Sequence, residues 1–167
     1  LSVFTIDDRL QLDLHPDELS TLRLIAQQSD TNLRDVAFDM RHEDGHVVKL
    51  HPVLKTSDLP RALTELTHLK HLDLSNRSLK ALPDWIGEMT SLKRLDLSRN
   101  ELEELPESIG NLTSLYELDV SDNNLKNVPV TIANLSNLNT LRLSKNRLRT
   151  LPASMGKVDG RAVEDTE

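Results

Sequence analysis

The sequence has no cysteine and few aromatic residues, and these absences limit both its chemistry and its core. None of its 167 residues can form a disulfide, a thiolate metal site or a cysteine nucleophile. The absence of cysteine also favours a reducing compartment, so we expect a cytoplasmic protein. Aromatic residues make up only 2% of the chain, and a core therefore has to be built from leucine and other aliphatic side chains.

Long apolar runs and basic segments are also missing. No run approaches the ~20 apolar residues that a membrane-spanning helix requires, and no secretory signal is visible. The net charge is −7, and no part of the chain is basic enough to neutralise a phosphate backbone. We therefore expect no membrane span and no nucleic-acid partner.

What the sequence does have is an internal repeat of 23 residues. The four segments that begin at Leu69, Leu92, Leu115 and Leu138 read LKHLDLSNRSLKALPDWIGEMTS, LKRLDLSRNELEELPESIGNLTS, LYELDVSDNNLKNVPVTIANLSN and LNTLRLSKNRLRTLPASMGKVDG. Each has apolar residues at its positions 1, 4, 6, 11, 14, 18 and 21, and each has proline at position 15. Residues 59–68 supply the second half of one further unit.

The spacing indicates a solenoid whose coils each contribute one short strand. Two leucines that lie two residues apart point to the same face of a strand. A single coil cannot bury its leucines, whereas stacked coils bury them in a continuous column. Position 9 holds Asn100, Asn123 and Asn146, whose amides suit hydrogen bonds to turn backbone, but Arg77 replaces asparagine in the first full unit, where we expect a locally adapted turn.

This pattern resembles the leucine-rich repeat family, in the form LxxLxLxxNxLxxLPxxIGxL, over residues 59–158. The subgroup that it resembles is the 23-residue type of intracellular Ras-group and Scribble-like proteins and of many bacterial proteins. The resemblance implies an α/β solenoid with a curved parallel sheet on its concave side and irregular or short helical segments on its convex side. It also implies protein recognition on the concave face.

The chain divides into three parts. We expect residues 1–58 to form an α/β N-terminal cap, residues 59–158 to form the repeats, and residues 159–167 to form an acidic tail. Within the cap, alternating leucines over 10–14 predict a strand, and Pro16 followed by two acids predicts the start of a helix. Alternation at Val36, Phe38 and Met40, followed by HEDG and HVVKL, predicts a hairpin or two degenerate repeat strands.

The two ends suggest a piece of a longer array. The first residue is leucine rather than methionine, and a fifth repeat in phase would begin at Arg161, where the apolar pattern has stopped. We expect further sequence beyond both ends.

Candidate catalytic and metal-binding residues are few. His42, His46 and His51 lie near Glu43 and Asp44, but strand alternation sends His46 and His51 to opposite faces, so a solvated turn is expected instead of a metal site. No phosphate-binding loop, nucleophile elbow or zinc-protease motif occurs. We expect neither an enzyme nor a cofactor.

The concave columns carry the candidate site. The predicted protein-binding residues come from positions 2, 3, 5 and 8 of the repeats. They are Lys70, His71, Asp73, Lys93, Arg94, Asp96, Arg99, Tyr116, Glu117, Asp119, Asp122, Arg142 and Lys145. Their charges form bands of alternating sign from coil to coil, which either complement a partner or hold neighbouring coils together. Trp85 on the return path either binds on the convex side or covers the coil edge, and we favour the cover.

Three functions fit this sequence. The first is a monomeric protein–protein interaction module that binds on its concave face. The second is the substrate-recognition arm of a larger enzyme, such as a bacterial effector ubiquitin ligase delivered into a host cell or a repeat-bearing kinase. The third is a structural spacer with no concave ligand.

Overall fold

The computed structural model describes residues 14–37, 39–55 and 58–152 and the backbone of 162–164. It contains two helices, seven strands and four 3₁₀ helices in these residues. The helices are α1 (Pro16–Gln28) and α2 (Leu33–Val36), and the strands are β1 (Arg41–Glu43), β2 (His46–Leu50), β3 (His71–Asp73), β4 (Arg94–Asp96), β5 (Glu117–Asp119), β6 (Thr140–Arg142) and β7 (Ala162–Glu164). The 3₁₀ helices span Arg61–Glu65, Asp84–Glu88, Glu107–Asn111 and Val130–Asn134.

The seven strands form one sheet in the order of the sequence. β1 and β2 are antiparallel, and every later pair is parallel. From β3 to β6 the register advances by one repeat per strand, so that Leu72, Leu95, Leu118 and Leu141 lie side by side. The predicted α/β solenoid is confirmed.

The core is a stack of aliphatic columns that runs from α1 into the fourth coil. All seven apolar repeat positions are buried in the first three full coils, as the sequence predicts. In the fourth coil Leu138, Leu141 and Leu143 are buried, whereas Leu148 is partly buried and Leu151 is 38% exposed. Trp85 is partly buried against this core, which agrees with the predicted cover over the coil edge.

The prolines mark where each coil turns back. Pro60, Pro83, Pro106 and Pro129 each precede a five-residue 3₁₀ helix and adopt an extended conformation, with φ between −63° and −71°. Proline fixes φ and has no N–H to donate, so it ends strand pairing and begins a short helical return. These segments form the convex side.

Asparagine at position 9 joins successive coils through backbone hydrogen bonds. The Asn100 Oδ1 accepts from the backbone N–H of Leu79 at 3.0 Å, and its Nδ2 donates to the carbonyls of Leu74 and Leu97, both at 2.9 Å. Asn123 and Asn146 repeat this arrangement in the next coils. The predicted role of this asparagine is confirmed.

Arg77 occupies the asparagine position in the first full coil, and the local turn differs there. Ser78 has φ of 53°, a left-handed conformation that the equivalent residue of the later coils does not adopt. The Nε of Arg77 is buried without a hydrogen bond, and burial lowers the pKa of its guanidinium. The turn is adapted as predicted, at the expense of one unsatisfied donor.

The N-terminal part differs in detail from its prediction. Helix α1 begins at Pro16 as expected. Val36, predicted to begin an alternating strand, is instead the last residue of helix α2, because the Asn32 side chain accepts from the backbone N–H of Asp35 at 2.9 Å and caps a helical turn. The hairpin exists, but it begins at Arg41. Phe38 and most of the strand predicted over 10–14 lie outside the described residues.

Strand β2 pairs in parallel with β3, so it belongs to the sheet of the repeats. Val47 and Leu50 of this strand and Pro52 just after it are buried and occupy positions 1, 4 and 6 of a degenerate coil. The division of the chain at residue 58 remains a prediction, and we propose that the cap ends before β2.

The segment 159–167 also differs from the expected tail, because it contains strand β7. This strand lies beside β6 with Leu141 opposite Val163, which is a spacing of 22 rather than 23 residues. A search at a fixed period of 23 therefore falls one residue out of phase and meets Glu164 at position 4 instead of Val163.

Candidate functional site

The concave face is formed by the side chains at repeat positions 3 and 5, which flank the buried leucine of each strand. Position 3 forms a column in register from β2 to β6. The two columns border a depression of about 230 Å³ at the centre of the face. The predicted site residues that line it are His71, Asp73, Arg94, Asp96, Glu117, Asp119 and Arg142.

The aspartates of position 5 have a structural role. The Oδ1 atoms of Asp73, Asp96 and Asp119 accept hydrogen bonds from the backbone N–H groups two residues later, at 2.9, 2.8 and 2.9 Å. These bonds fix the turn that follows each strand.

Burial and the neighbouring carboxylates both make the charged form of the central aspartate, Asp96, less favourable. Burial raises the pKa of the Asp96 carboxyl, the hydrogen bonds from Ser98 lower it, and the neighbouring carboxylates of Asp119 and Asp73 raise it again. The net shift is upward. In the fourth coil Arg142 takes this position and ends the run of like charge opposite Asp119.

Glu117 is the centre of an ion-pair network across three coils. Its Oε2 lies 3.4 Å from the Nε of Arg94 on β4, and its Oε1 contacts the guanidinium of Arg142 on β6. The three side chains are 26–58% exposed, with Glu117 the least so. The bands of opposite sign therefore do attract one another between coils, which is the packing explanation of the pattern.

The N-terminal edge of the face is held by contacts to the β1 region. The Nζ of Lys70 lies 2.9 Å from Glu43, and the Nζ of Lys49 lies 2.6 Å from Asp39. His71 sits between these lysines and Arg94, and burial together with these cations lowers the pKa of its imidazole. Lys70 is thus less available to a partner than its sequence position indicated.

The remaining predicted residues lie at the two margins of the sheet. Lys93 and Tyr116 precede their strands and are exposed, with Tyr116 at 48%. Arg99, Asp122 and Lys145 follow their strands, are exposed, and share a left-handed conformation with φ of 55–56°. These five side chains form no ion pair with another described residue. They lie at the edges of the face and do not line the depression.

Two residues of the concave face escaped the sequence analysis. Lys49 lines the depression, and the Nδ1 of His51 lies 3.4 Å from Asp73. Both belong to the degenerate coil of β2, which had been assigned to the cap. Its spacing, Val47-x-x-Leu50-x-Pro52, fits the repeat once proline is accepted in place of leucine and the distance to the next coil is 22 rather than 23 residues.

Comparisons with known proteins agree with this architecture. The model of a leucine-rich repeat region matches residues 46–125. A leucine-rich repeat protein of Leptospira interrogans is 34% identical at a TM-score of 0.61, and the match covers 64% of this chain and 27% of that one. No curated protein sequence matches significantly.

Two further solved structures are also similar to this chain. The leucine-rich repeat ectodomain of the receptor kinase SOBIR1 from Arabidopsis thaliana is 26% identical at a TM-score of 0.65, with 91% of this chain and 92% of that one covered. Drosophila Toll, in its complex with Spätzle, is 29% identical at a TM-score of 0.53, with coverage of 61% and 14%. The chain thus spans about a quarter of the Leptospira protein and nearly all of the plant ectodomain.

None of the helices in the described part of the chain has the length and apolar character to cross a bilayer. The register of the repeats, the hydrogen bonds of the asparagines at position 9 and the matched family model all indicate the same repeat fold. The chain is a leucine-rich repeat protein.

Proposed function

We propose that this protein is an interaction module that binds a protein partner on its concave face. The observation that carries the proposal is the pair of polar columns at positions 3 and 5, which strand pairing holds in register across neighbouring coils. Such a face is already ordered before binding, so a partner meets little conformational cost. Leucine-rich repeat domains are generally non-catalytic, and the related Toll structure is a complex with a second protein.

The chemistry of the face favours a protein over a nucleic acid. Acidic and basic side chains both line the depression, and the whole chain has a net charge of −7. A mixed pattern of this kind selects a partner with complementary charges and steers its approach. A phosphate backbone would be repelled by the column of aspartates, because both are negatively charged.

The marginal residues are the strongest candidates for contact. Arg94, Glu117 and Arg142 are engaged with one another, so a partner must compete with an existing network. Tyr116 and Arg99 are exposed at opposite margins, and tyrosine and arginine are frequent anchors in protein interfaces. We place the main contacts at these margins and assign the central depression to orientation.

The two other functions lead to different expectations. As the recognition arm of a larger enzyme, the module would bind the substrate through the same face, and the same variants would abolish it. As a spacer, it would bind nothing there. We propose a monomer in a reducing, cytoplasmic compartment on the basis of the missing cysteine, with delivery of a bacterial effector into a host cell as the alternative.

Affinity capture with mass spectrometry tests the proposal. The concave variant combines Tyr116→Ala, Arg99→Glu and Asp122→Lys, which leaves the Glu117 network intact. The matched control reverses two exposed charges outside the strands, Lys80→Glu and Glu104→Lys. Thermal unfolding first verifies that both variants are folded.

Three results are informative. A protein that is captured by the wild type and the control but lost with the concave variant supports the proposal. Equal capture by all three baits shows that the margins do not make the main contacts and contradicts the proposal in this form. If no bait captures a specific protein from the source cells or their host, the proposal fails and the spacer is favoured.

A further inference from the structure

A second cluster of polar side chains lies away from the concave depression, where α1 packs on the first coils. It joins Glu18 of the first turn of α1, His46 at the start of β2, and His68 just before β3. One donor atom from each residue lies within 4.8 Å of the other two. Among the described residues this is the one group of three or more possible metal ligands that converge in this way.

Glu18 makes the cluster unusual. Its side chain is only 7% exposed, although carboxylates are seldom buried without a specific partner. Its Oε2 accepts a hydrogen bond from the backbone N–H of Val47 at 2.9 Å. Its Oε1 lies 3.2 Å from the Nδ1 of His46 and 3.7 Å from the Nδ1 of His68. One oxygen is thus fixed by the sheet, and the other faces two imidazoles.

The histidines next to this oxygen are stacked. The rings of His46 and His68 stack with their centroids 3.8 Å apart, and the ring of His15 also stacks with that of His46, at 5.7 Å. The cluster opens onto a surface cavity of about 290 Å³. Solvent and small ions can therefore reach the donor atoms.

We propose that Glu18, His46 and His68 bind a divalent transition-metal ion of the zinc class. Zinc–nitrogen and zinc–oxygen bonds of about 2.0–2.2 Å at tetrahedral angles place donor atoms roughly 3.3–3.6 Å apart. The separation of 3.2 Å between the Glu18 oxygen and the His46 nitrogen is close to this range, and the His68 nitrogen lies near the same oxygen at 3.7 Å. Two imidazoles and one carboxylate form a ligand set typical of zinc, with the fourth position left to water.

The ligand set also decides against hard cations. Calcium and magnesium prefer six or more oxygen ligands, and this cluster offers two nitrogens and one oxygen. Imidazole donors suit zinc, copper and nickel. We therefore expect selectivity for these ions over magnesium.

One local rearrangement is required for binding. A metal ion cannot lie in the planes of two stacked rings, so His68 has to turn out of the stack. Its side chain is 54% exposed, and its Nδ1 has a contact of 3.4 Å to the hydroxyl of Thr67, which the metal would replace. The Glu18 and His46 donors are already in place. A bound ion would clamp α1 to β2 and the next coil and so stabilise the N-terminal end of the solenoid.

The competing explanation is a hydrogen-bonded pair without a metal, in which Glu18 merely anchors His46 and Val47. This inference is independent of the proposed concave function, because no residue of the cluster belongs to that face.

Isothermal titration of the untagged, chelator-treated chain with Zn²⁺ separates the two explanations, with Mg²⁺ titrated in parallel. Co²⁺ supplies a second readout, since its visible absorption reports tetrahedral coordination.

The key variant is His68→Ala, because His68 is half exposed and its loss does not open the core. The matched control is His42→Ala, which removes an exposed histidine outside the cluster. Glu18→Gln removes the anionic ligand and keeps an oxygen that can accept from Val47, so the fold is retained.

We expect one Zn²⁺ per chain, a rise in melting temperature on binding, and no binding of Mg²⁺. His68→Ala and Glu18→Gln should each weaken Zn²⁺ binding at least about ten-fold, because even an outer-shell contact is worth that much, whereas His42→Ala should match the wild type. Equal affinities in all four proteins, or a stoichiometry well below one, would overturn the proposal and leave the hydrogen-bonded anchor.

Discussion

The side-chain oxygen of Asn123 accepts a hydrogen bond from the backbone N–H of Leu102, one coil earlier, at 3.0 Å. The amide nitrogen of the same residue donates to the carbonyls of Leu97 and Val120, at 2.9 and 3.1 Å. Asn123 is 7% exposed, so water cannot replace these partners. Asn100, Asn123 and Asn146 together form an asparagine ladder, in which each side chain supplies hydrogen bonds to the backbone of its own coil and of the preceding coil.

Removing one asparagine of this ladder should lower the free energy of unfolding. Asn123→Ala leaves buried backbone donors and acceptors without partners, each worth roughly 1–3 kcal/mol, so we expect the free energy of unfolding to fall by about 2–4 kcal/mol. Urea unfolding followed by circular dichroism measures it. The control, Asn127→Ala, removes an exposed amide and should change stability by less than about 0.5 kcal/mol. Similar losses in both variants would show that the ladder is not a special source of stability.

The ladder and the leucine columns were predictable because they repeat in phase. Leu95 and Leu118 align by the same spacing that the sequence shows, and the strand register follows from it. The sequence also predicted which side chains share the concave face, since alternation sends Arg94 and Asp96 to the side opposite Leu95.

Features outside the strict period were not predictable in the same way. Strand β2 precedes β3 by 22 residues and is followed by Pro52 where the full coils have leucine or valine, and β7 follows β6 at 22 residues, so both escape a search at 23. The alternation from Val36 suited a strand, but the Asn32 cap favours a helical turn. The cluster of Glu18 and His46 depends on how α1 packs on the sheet, and no local pattern encodes a contact across 28 residues.

Close stacking of the 3₁₀ helices leads to a second prediction. A Cβ at Gly110 would lie 2.5 Å from the carbonyl oxygen and 2.6 Å from the Cβ of Thr131 in the next coil. Gly110→Ala must therefore push two coils apart, and we expect a loss of about 1–3 kcal/mol in unfolding free energy. Calorimetry or urea unfolding measures it.

The third full coil provides the control for this substitution. Ala133 occupies the same repeat position and is accommodated there with a half-buried side chain. Ala133→Gly should cost no more than about 1 kcal/mol, the ordinary difference between these residues in a helical segment. If Gly110→Ala is as stable as the wild type, coil spacing is more adaptable than the close contact implies.

The raised pKa of Asp96 gives a third prediction. A carboxyl whose pKa is higher in the folded state contributes stability at low pH, and that contribution is lost as pH rises through the folded-state pKa. At neutral pH the charged Asp96 therefore opposes folding. Asp96→Asn removes the charge and keeps the oxygen that accepts from the backbone N–H of Ser98.

We expect Asp96→Asn to be more stable than the wild type at ~pH 7, with the difference shrinking towards ~pH 3, below the ordinary aspartate pKa. Urea midpoints across this range measure the effect. Glu101→Gln, an exposed acid outside the strands, should not show the same trend. A variant that is destabilised equally at both pH values would indicate that the hydrogen bond to Ser98, not the charge, governs this position.

The contacts of Glu117 with Arg94 and Arg142 give the last prediction. Glu117→Gln keeps the shape of the side chain and removes the charge that attracts both guanidinium groups. Because all three side chains are partly exposed, solvent screens the attraction, and we expect a loss of only about 0.5–1 kcal/mol. The loss should diminish at roughly 1 M salt, where the Debye length is about 3 Å.

The control is Asp122→Asn, which removes an acid of the same coil that forms no ion pair with a described residue. The effect of this substitution on stability should be independent of salt. If both variants respond alike, the charge bands do not hold the coils together, and their complementarity to a partner becomes the better explanation.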